Sequence, residues 1–129
     1  MRAVDTNVLV RLVVRDDAPQ VLAAEDFISK GAWVSHLELA ETLWVLDAVY
    51  GLAADEIALA VDMLLNHKEL AVQDPEVVTA ALERFRNHPA VGFSDCLIVE
   101  IARKAGHLPM GTFDRDLARL DGVHRLHRS

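Results

Sequence analysis

Short apolar runs closed by turn residues alternate with longer amphipathic stretches along this chain, and that alternation limits its fold more than any other feature. Ala32-Trp33-Val34-Ser35 follows Gly31, Leu70-Ala71-Val72 lies just before Pro75, and Leu108 to Thr112 follows Gly106. Each run is too short for a helix and bounded as a buried strand would be. Residues 1–5 read as a further strand ending at Asp5, and Val123 to Leu126 as a last one. Between them the periodicity predicts helices over about Asn7–Val14, from Asp16-Asp17-Ala18-Pro19 to Gly31, His36–Tyr50, Ala54–His67, Pro75 to His88-Pro89 and Phe93–Ala105, with a short one over Arg115–Leu120. Capping acids, Pro in first turns and Gly at the ends mark their limits. Strands alternating with helices predict an α/β fold with a parallel sheet covered on both faces. Such sheets bind ligands outside the carboxyl ends of their strands.

The 129 residues fit a single domain, and 52% apolar residues fill one core. The one cysteine, Cys96, excludes an internal disulfide and a Cys-rich metal site, and reads as a small core residue. An acid as early as Asp5 interrupts any signal-peptide core, and charges such as Asp47 and Asp62 break the apolar runs before membrane-spanning length. A soluble protein of the cytoplasm is therefore expected. The net charge of −7 disfavours nucleic-acid binding by bulk electrostatics, but not an enzyme whose acids hold cations, nor a basic protein partner.

Four acids stand where cores form. Asp5 lies between Val4 and the run from Val8 to Val14, where a carboxylate is expected to be desolvated; it either caps the following helix or holds a cation. Glu41 has Leu37, Trp44, Val45 and Ala48 at helical spacing, with Glu38 the only polar neighbour, so it either faces inward or lies exposed at the edge of the stripe. Asp95 has Ile98, Val99 and Ala102 at i+3, i+4 and i+7, opposite Glu100, Arg103 and Lys104. It reads as inward-facing near a helix N-terminus, or as a first-turn charge. Asp114 follows a predicted strand, as a ligand-end acid or a cap. If the four converged they would repel: two charges about 4 Å apart cost roughly 4 kcal/mol at an effective dielectric near 20. Oxygen-only ligands suit Mg²⁺ or Mn²⁺, and a hydrated ion of that kind can supply the nucleophile for phosphodiester hydrolysis.

These residues carry a resemblance. Val4-Asp5-Thr6-Asn7-Val8-Leu9-Val10-Arg11, Glu41 with Trp44, Asp95-Cys96-Leu97-Ile98 and Thr112-Phe113-Asp114-Arg115-Asp116-Leu117, in this order, resemble PIN-domain ribonucleases, and among them the VapC-type toxins of toxin–antitoxin modules. The resemblance spans essentially the whole chain. It implies a three-layer α/β/α sandwich with a central, mainly parallel sheet, and endonucleolytic cleavage of RNA with one or two Mg²⁺ or Mn²⁺ ions. Asp5, Glu41, Asp95 and Asp114 match the family's catalytic, metal-holding quartet. Thr6, Asn7, Thr112 and Asp116 match secondary pocket residues. A small antitoxin blocking the pocket and a homodimer are implied as partners, and the apolar stretch 43–65 could hide a dimer face. Met110-Gly111 departs from the β-branched residues expected in the fourth strand.

Other features stay open at this level. Arg115, Arg119, Arg125 and Arg128, with His124 and His127, make the C-terminus locally basic. They are either solvated and paired with Asp116 and Asp121, or contacts for RNA phosphates or a partner's acids. Arg11 and Arg15 are similar candidates. His124 and His127 lack the further ligands of a metal site. Trp33, Trp44, Phe27 and Phe85 read as core. Two other functions compete: an aspartyl phosphatase, for which Asn7 stands where a second acid is wanted, and a PIN-like domain that only binds RNA or a partner.

Overall fold

A computed structural model describes residues 1–128. The chain divides into two compact units, Met1–Pro75 and Glu76–Ser129.

In the first unit the order is β1 (Arg2–Ala3), α1 (Thr6–Val14), α2 (Ala18–Ile28), β2 (Ala32–Val34), α3 (His36–Ala48), α4 (Ala54–Leu65) and β3 (Leu70–Val72). Side chains set the helix starts. Asp5 caps α1 by accepting from the Val8 N–H at 3.3 Å, and Asp17 caps α2 from the Gln20 N–H at 3.1 Å, with Pro19 in the first turn. Ser35 caps α3 by accepting from the Glu38 N–H at 3.1 Å. Each such cap contributes about 1 kcal/mol. The strands form a parallel sheet in the order β1-β2-β3, with Ala3 beside Trp33 and Trp33 beside Ala71. All three carboxyl ends therefore lie along one edge, followed by Asp5, by Ser35-His36 and by Gln73. Leu9, Ile28, Val34, Leu39, Leu46, Val61 and Leu64 fill the interior. Full burial of each such aliphatic side chain contributes about 1.5–3 kcal/mol. Arg11 joins α1 to Asp16 and to the Tyr50 hydroxyl.

The helix faces differ from expectation in α3. Its buried residues are His36, Leu39, Thr42, Leu43 and Leu46, whereas Leu37, Glu41 and Trp44 are exposed, Trp44 by 63%. The stripe around Glu41 is thus the outer one, and Trp44 is not core; Trp33 is also exposed, at 40%. Phe27 is half-buried and Phe85 fully so.

The second unit takes in the body of α5 (Pro75–Asn87), a 3₁₀ turn (Pro89–Val91), α6 (Phe93–Ala105), β4 (Met110–Thr112), a second 3₁₀ turn (Leu117–Arg119) and β5 (Val123–Arg125). The expected short helix over Arg115–Leu120 is only that turn. β4 and β5 pair in parallel, Gly111 beside His124 and Thr112 beside Arg125, so Met110-Gly111 does belong to a strand. Gly111 has the Leu126 side chain over it, which supplies the cover that a β-branched residue would have given. Phe85 and Phe93 pack edge to face, 6.2 Å between centroids. Gly106 ends α6 in the left-handed conformation, φ 82°.

In α6 the buried stripe is Phe93, Cys96, Leu97 and Glu100, spaced i, i+3, i+4 and i+7, together with Val99. Ile98 is 51% exposed. Glu100, expected on the solvent face, is 5% exposed and bound by Arg103 at 3.2 Å and Arg84 at 3.8 Å. The helix is therefore rotated from the reading based on Asp95, because two arginines make burial of Glu100 tolerable.

Candidate active site: two groups of carboxylates

In the first unit, Asp5 follows β1 and is exposed rather than desolvated, because the capping turn carries it out while Val4, Leu9 and Val10 are buried on either side. The capping reading of Asp5 is thus observed. Thr6 and Asn7 open α1; Thr6 is half-buried and Asn7 exposed. Asn7 lines a groove of about 610 Å³ with Arg11, Gln20, Ala23 and Phe27. On α3, Glu41 has a neighbour that the sequence reading passed over, Glu38. Burial, then the charges of Asp5 and Glu41, hold the Glu38 carboxyl above its ordinary range. Its Oε2 is buried and has no hydrogen-bond partner among the described residues. Asp5, Glu38 and Glu41 therefore form one electrostatically coupled group. His36, at the start of α3, is buried with Nε2 unpartnered, while its backbone N–H donates to Gln73 Oε1 at 2.9 Å. The signal for Glu38 was its i−3 spacing from Glu41, hidden by reading it as an ordinary polar neighbour.

In the second unit, Asp95 lies half-buried in the first turn of α6, where Gly92 occupies the N-cap without a side-chain cap bond. Burial and then the charge of Asp114 hold its carboxyl above the usual range. Asp114 follows β4 and is exposed. Its Oδ1 accepts from the Asp116 N–H at 2.8 Å and the Leu117 N–H at 3.1 Å, while its own N–H donates to Thr112 Oγ1 at 3.0 Å. Thr112 and Asp116 thus fix the turn that presents Asp114. Cys96 beside Asp95 is buried, and burial with the charges of Asp95 and Glu100 pushes its thiol up to about 11, so it is no thiolate nucleophile at neutral pH.

Repulsive acids, one with an orphaned buried oxygen, are what a hard cation relieves. Within either unit, among the described residues, no three His, Cys, Asp or Glu side chains already stand at metal-ligand spacing.

A family model described as PIN domain matches residues 2–123, so the chain belongs to the PIN domain family, a family of nucleases. Its mixed α/β structure with parallel strands is that of the three-layer α/β/α class. No curated protein and no solved structure matches the chain. Among the described residues no helix is long and apolar enough to cross a membrane.

Proposed function

We propose that this protein is a Mg²⁺- or Mn²⁺-dependent endoribonuclease acting in the cytoplasm as the toxin of a toxin–antitoxin pair. The observation that carries the metal reading is Glu38 Oε2, buried and unpartnered beside Asp5 and Glu41. Asp5 and Glu41, with Glu38 beside them, and Asp95 and Asp114 would be the residues that hold metal. When bound, the cation polarises the phosphoryl group and lowers the pKa of a coordinated water. The chain's own groups do the rest. The Val8 N–H fixes Asp5, and the Asp116 and Leu117 N–H groups fix Asp114, so these carboxylates need little reordering. Glu38 holds a proton to higher pH than an ordinary glutamate, which makes its carboxylate a stronger acceptor for the proton of an attacking water.

A small antitoxin with a basic residue would complement Asp5, Glu38, Glu41, Asp95 and Asp114, which have no ion pair with Lys or Arg among the described residues, in a chain of net charge −7. The exposed Trp44, Val49, Leu59 and Met63 support an association face for a homodimer within 43–65. The rival reading, a PIN domain that binds without cleaving, is favoured by one observation: Asp5 already serves as a helix cap and Asp114 as the acceptor that holds its own turn. Cleavage of RNA separates the two. Wild-type protein is expected to cut in Mg²⁺ and to stop in EDTA, and Asp5→Asn and Asp95→Asn, which keep the side-chain shape, are each expected to lose the activity. Undiminished cutting by both variants would sink the assignment.

A further inference from the structure

The acid excess is not spread evenly. Residues 1–75 carry thirteen acids against five Lys and Arg, whereas residues 76–129 carry seven against eight. Within the second unit several cations are occupied. Arg84 and Arg103 hold Glu100, Arg103 also takes the Asp121 carboxylate at 3.8 Å and the Asp121 carbonyl at 2.6 Å, and Lys104 pairs with Glu76. The pairing of Asp121 with the C-terminal arginines is therefore not made; Arg103 has taken it. Arg115, Arg119, Arg125 and Arg128 are exposed and, among the described residues, have no side-chain hydrogen bond or ion pair.

Topology gathers them. β5 runs parallel to β4 with Arg125 beside Thr112, and the Leu126 N–H donates to the Thr112 carbonyl at 2.6 Å. The chain thus leaves β5 at the same sheet end at which β4 delivers Asp114 and Arg115. The turn that bears Arg119 packs against β5. His124 and His127 flank Arg125 in this run and are likewise exposed. Guanidinium groups without an ion pair among the described residues, gathered around a strand end, match a phosphodiester chain, whose charge recurs at every nucleotide.

We propose that Arg115, Arg119, Arg125 and Arg128, with His124 and His127, form a surface that grips the phosphates of single-stranded RNA flanking the Asp114 turn. This rests on the nuclease reading for the identity of the strand, but the grip is electrostatic and needs no cleavage. It supplies locally the positive charge that the chain as a whole lacks.

The test is fluorescence anisotropy of a labelled 20-nucleotide single-stranded RNA with full-length protein in EDTA, across a salt series. Changing the four arginines to glutamine is expected to weaken binding at least about tenfold at low salt and to flatten the slope of log K against log[salt] by about 0.7 for each phosphate no longer neutralised. Arg→Lys at the same positions is expected to keep the slope. Should the fourfold variant melt early, Arg125→Gln and Arg128→Gln singly are each expected to flatten the slope by about 0.7. An unchanged slope and affinity overturns the proposal, as does a loss that lysine fails to restore. Variants that keep RNA affinity but lose an acidic protein partner overturn it too. If wild-type protein binds through this edge yet never cleaves in Mg²⁺, the nuclease reading falls and the surface stands. If it cleaves and the variants bind as wild type, the surface alone falls.

Discussion

Asp95 and Glu100 occupy the same helix, five residues apart, under opposite arrangements. Glu100 is almost completely buried, and Arg84 and Arg103 stand on either side of it. Asp95 is half-buried with another acid, Asp114, as its charged neighbour. A carboxylate that holds a fold together is given cations, because a buried charge without one costs several kcal/mol. A carboxylate left to face its own kind raises the energy of the folded chain. The first unit repeats the second arrangement in Asp5, Glu38 and Glu41. Acids that have cations beside them and acids that face other acids are thus distinguishable by their partners.

Substitution can break or sharpen that contrast. The largest effect is expected from Asp95→Asn, which should lower RNA cleavage at least about 100-fold, the scale of losing one group that stabilises transition-state charge, while leaving the melting temperature unchanged or higher. Steady-state cleavage and a thermal melt on the same sample check both halves. Glu100→Gln should do the reverse, destabilising by about 1–3 kcal/mol because its arginines are partly exposed and can recover water, with cleavage per folded molecule retained. Urea titration reads this, and a Glu100→Gln protein as stable as wild type would remove the contrast. Glu38→Gln should stabilise the metal-free protein at neutral pH by about 0.5–1 kcal/mol, the scale of one relieved like-charge contact. The sign follows from linkage. Folding raises the Glu38 carboxyl above 4.5, so the folded state holds its proton more tightly, and stability falls as pH rises from about 4.5 through the folded value. Below that window the Glu38→Gln gain should vanish, which melts at pH 4 and pH 7 compare. Smallest of all, Ile98→Ser should change stability by no more than about 0.5 kcal/mol, since that side chain is on the outer face of α6.

The order of strands and helices was legible because turn residues and caps are local. Gly31, Ser35, Pro75 and Gly106 fall where the elements begin or end. Which way a helix turns was less legible. Around Asp95, Val99 is buried as read, but Ile98 is exposed and the packed stripe runs through Phe93, Cys96 and Leu97 into Glu100, whose burial depends on Arg84 sixteen positions away. Glu41 shows the same limit, since its apolar neighbours Leu37 and Trp44 are the exposed ones. Of the candidate residues, the sequence pointed to Asp5, Asp95 and Asp114 with their local roles in view, but it passed over Glu38. An unpartnered oxygen is a property of packing, not of spacing.

That unpartnered oxygen also ties the protein's durability to its surroundings. An ion that binds the folded chain and not the unfolded one adds stability in proportion to the logarithm of its concentration over its dissociation constant. If Glu38 and its neighbours take up Mg²⁺, cells that run short of the ion would hold a protein both idle and easier to unfold, and so exposed to proteolysis. Magnesium supply would then govern how long the molecule survives as well as how fast it works.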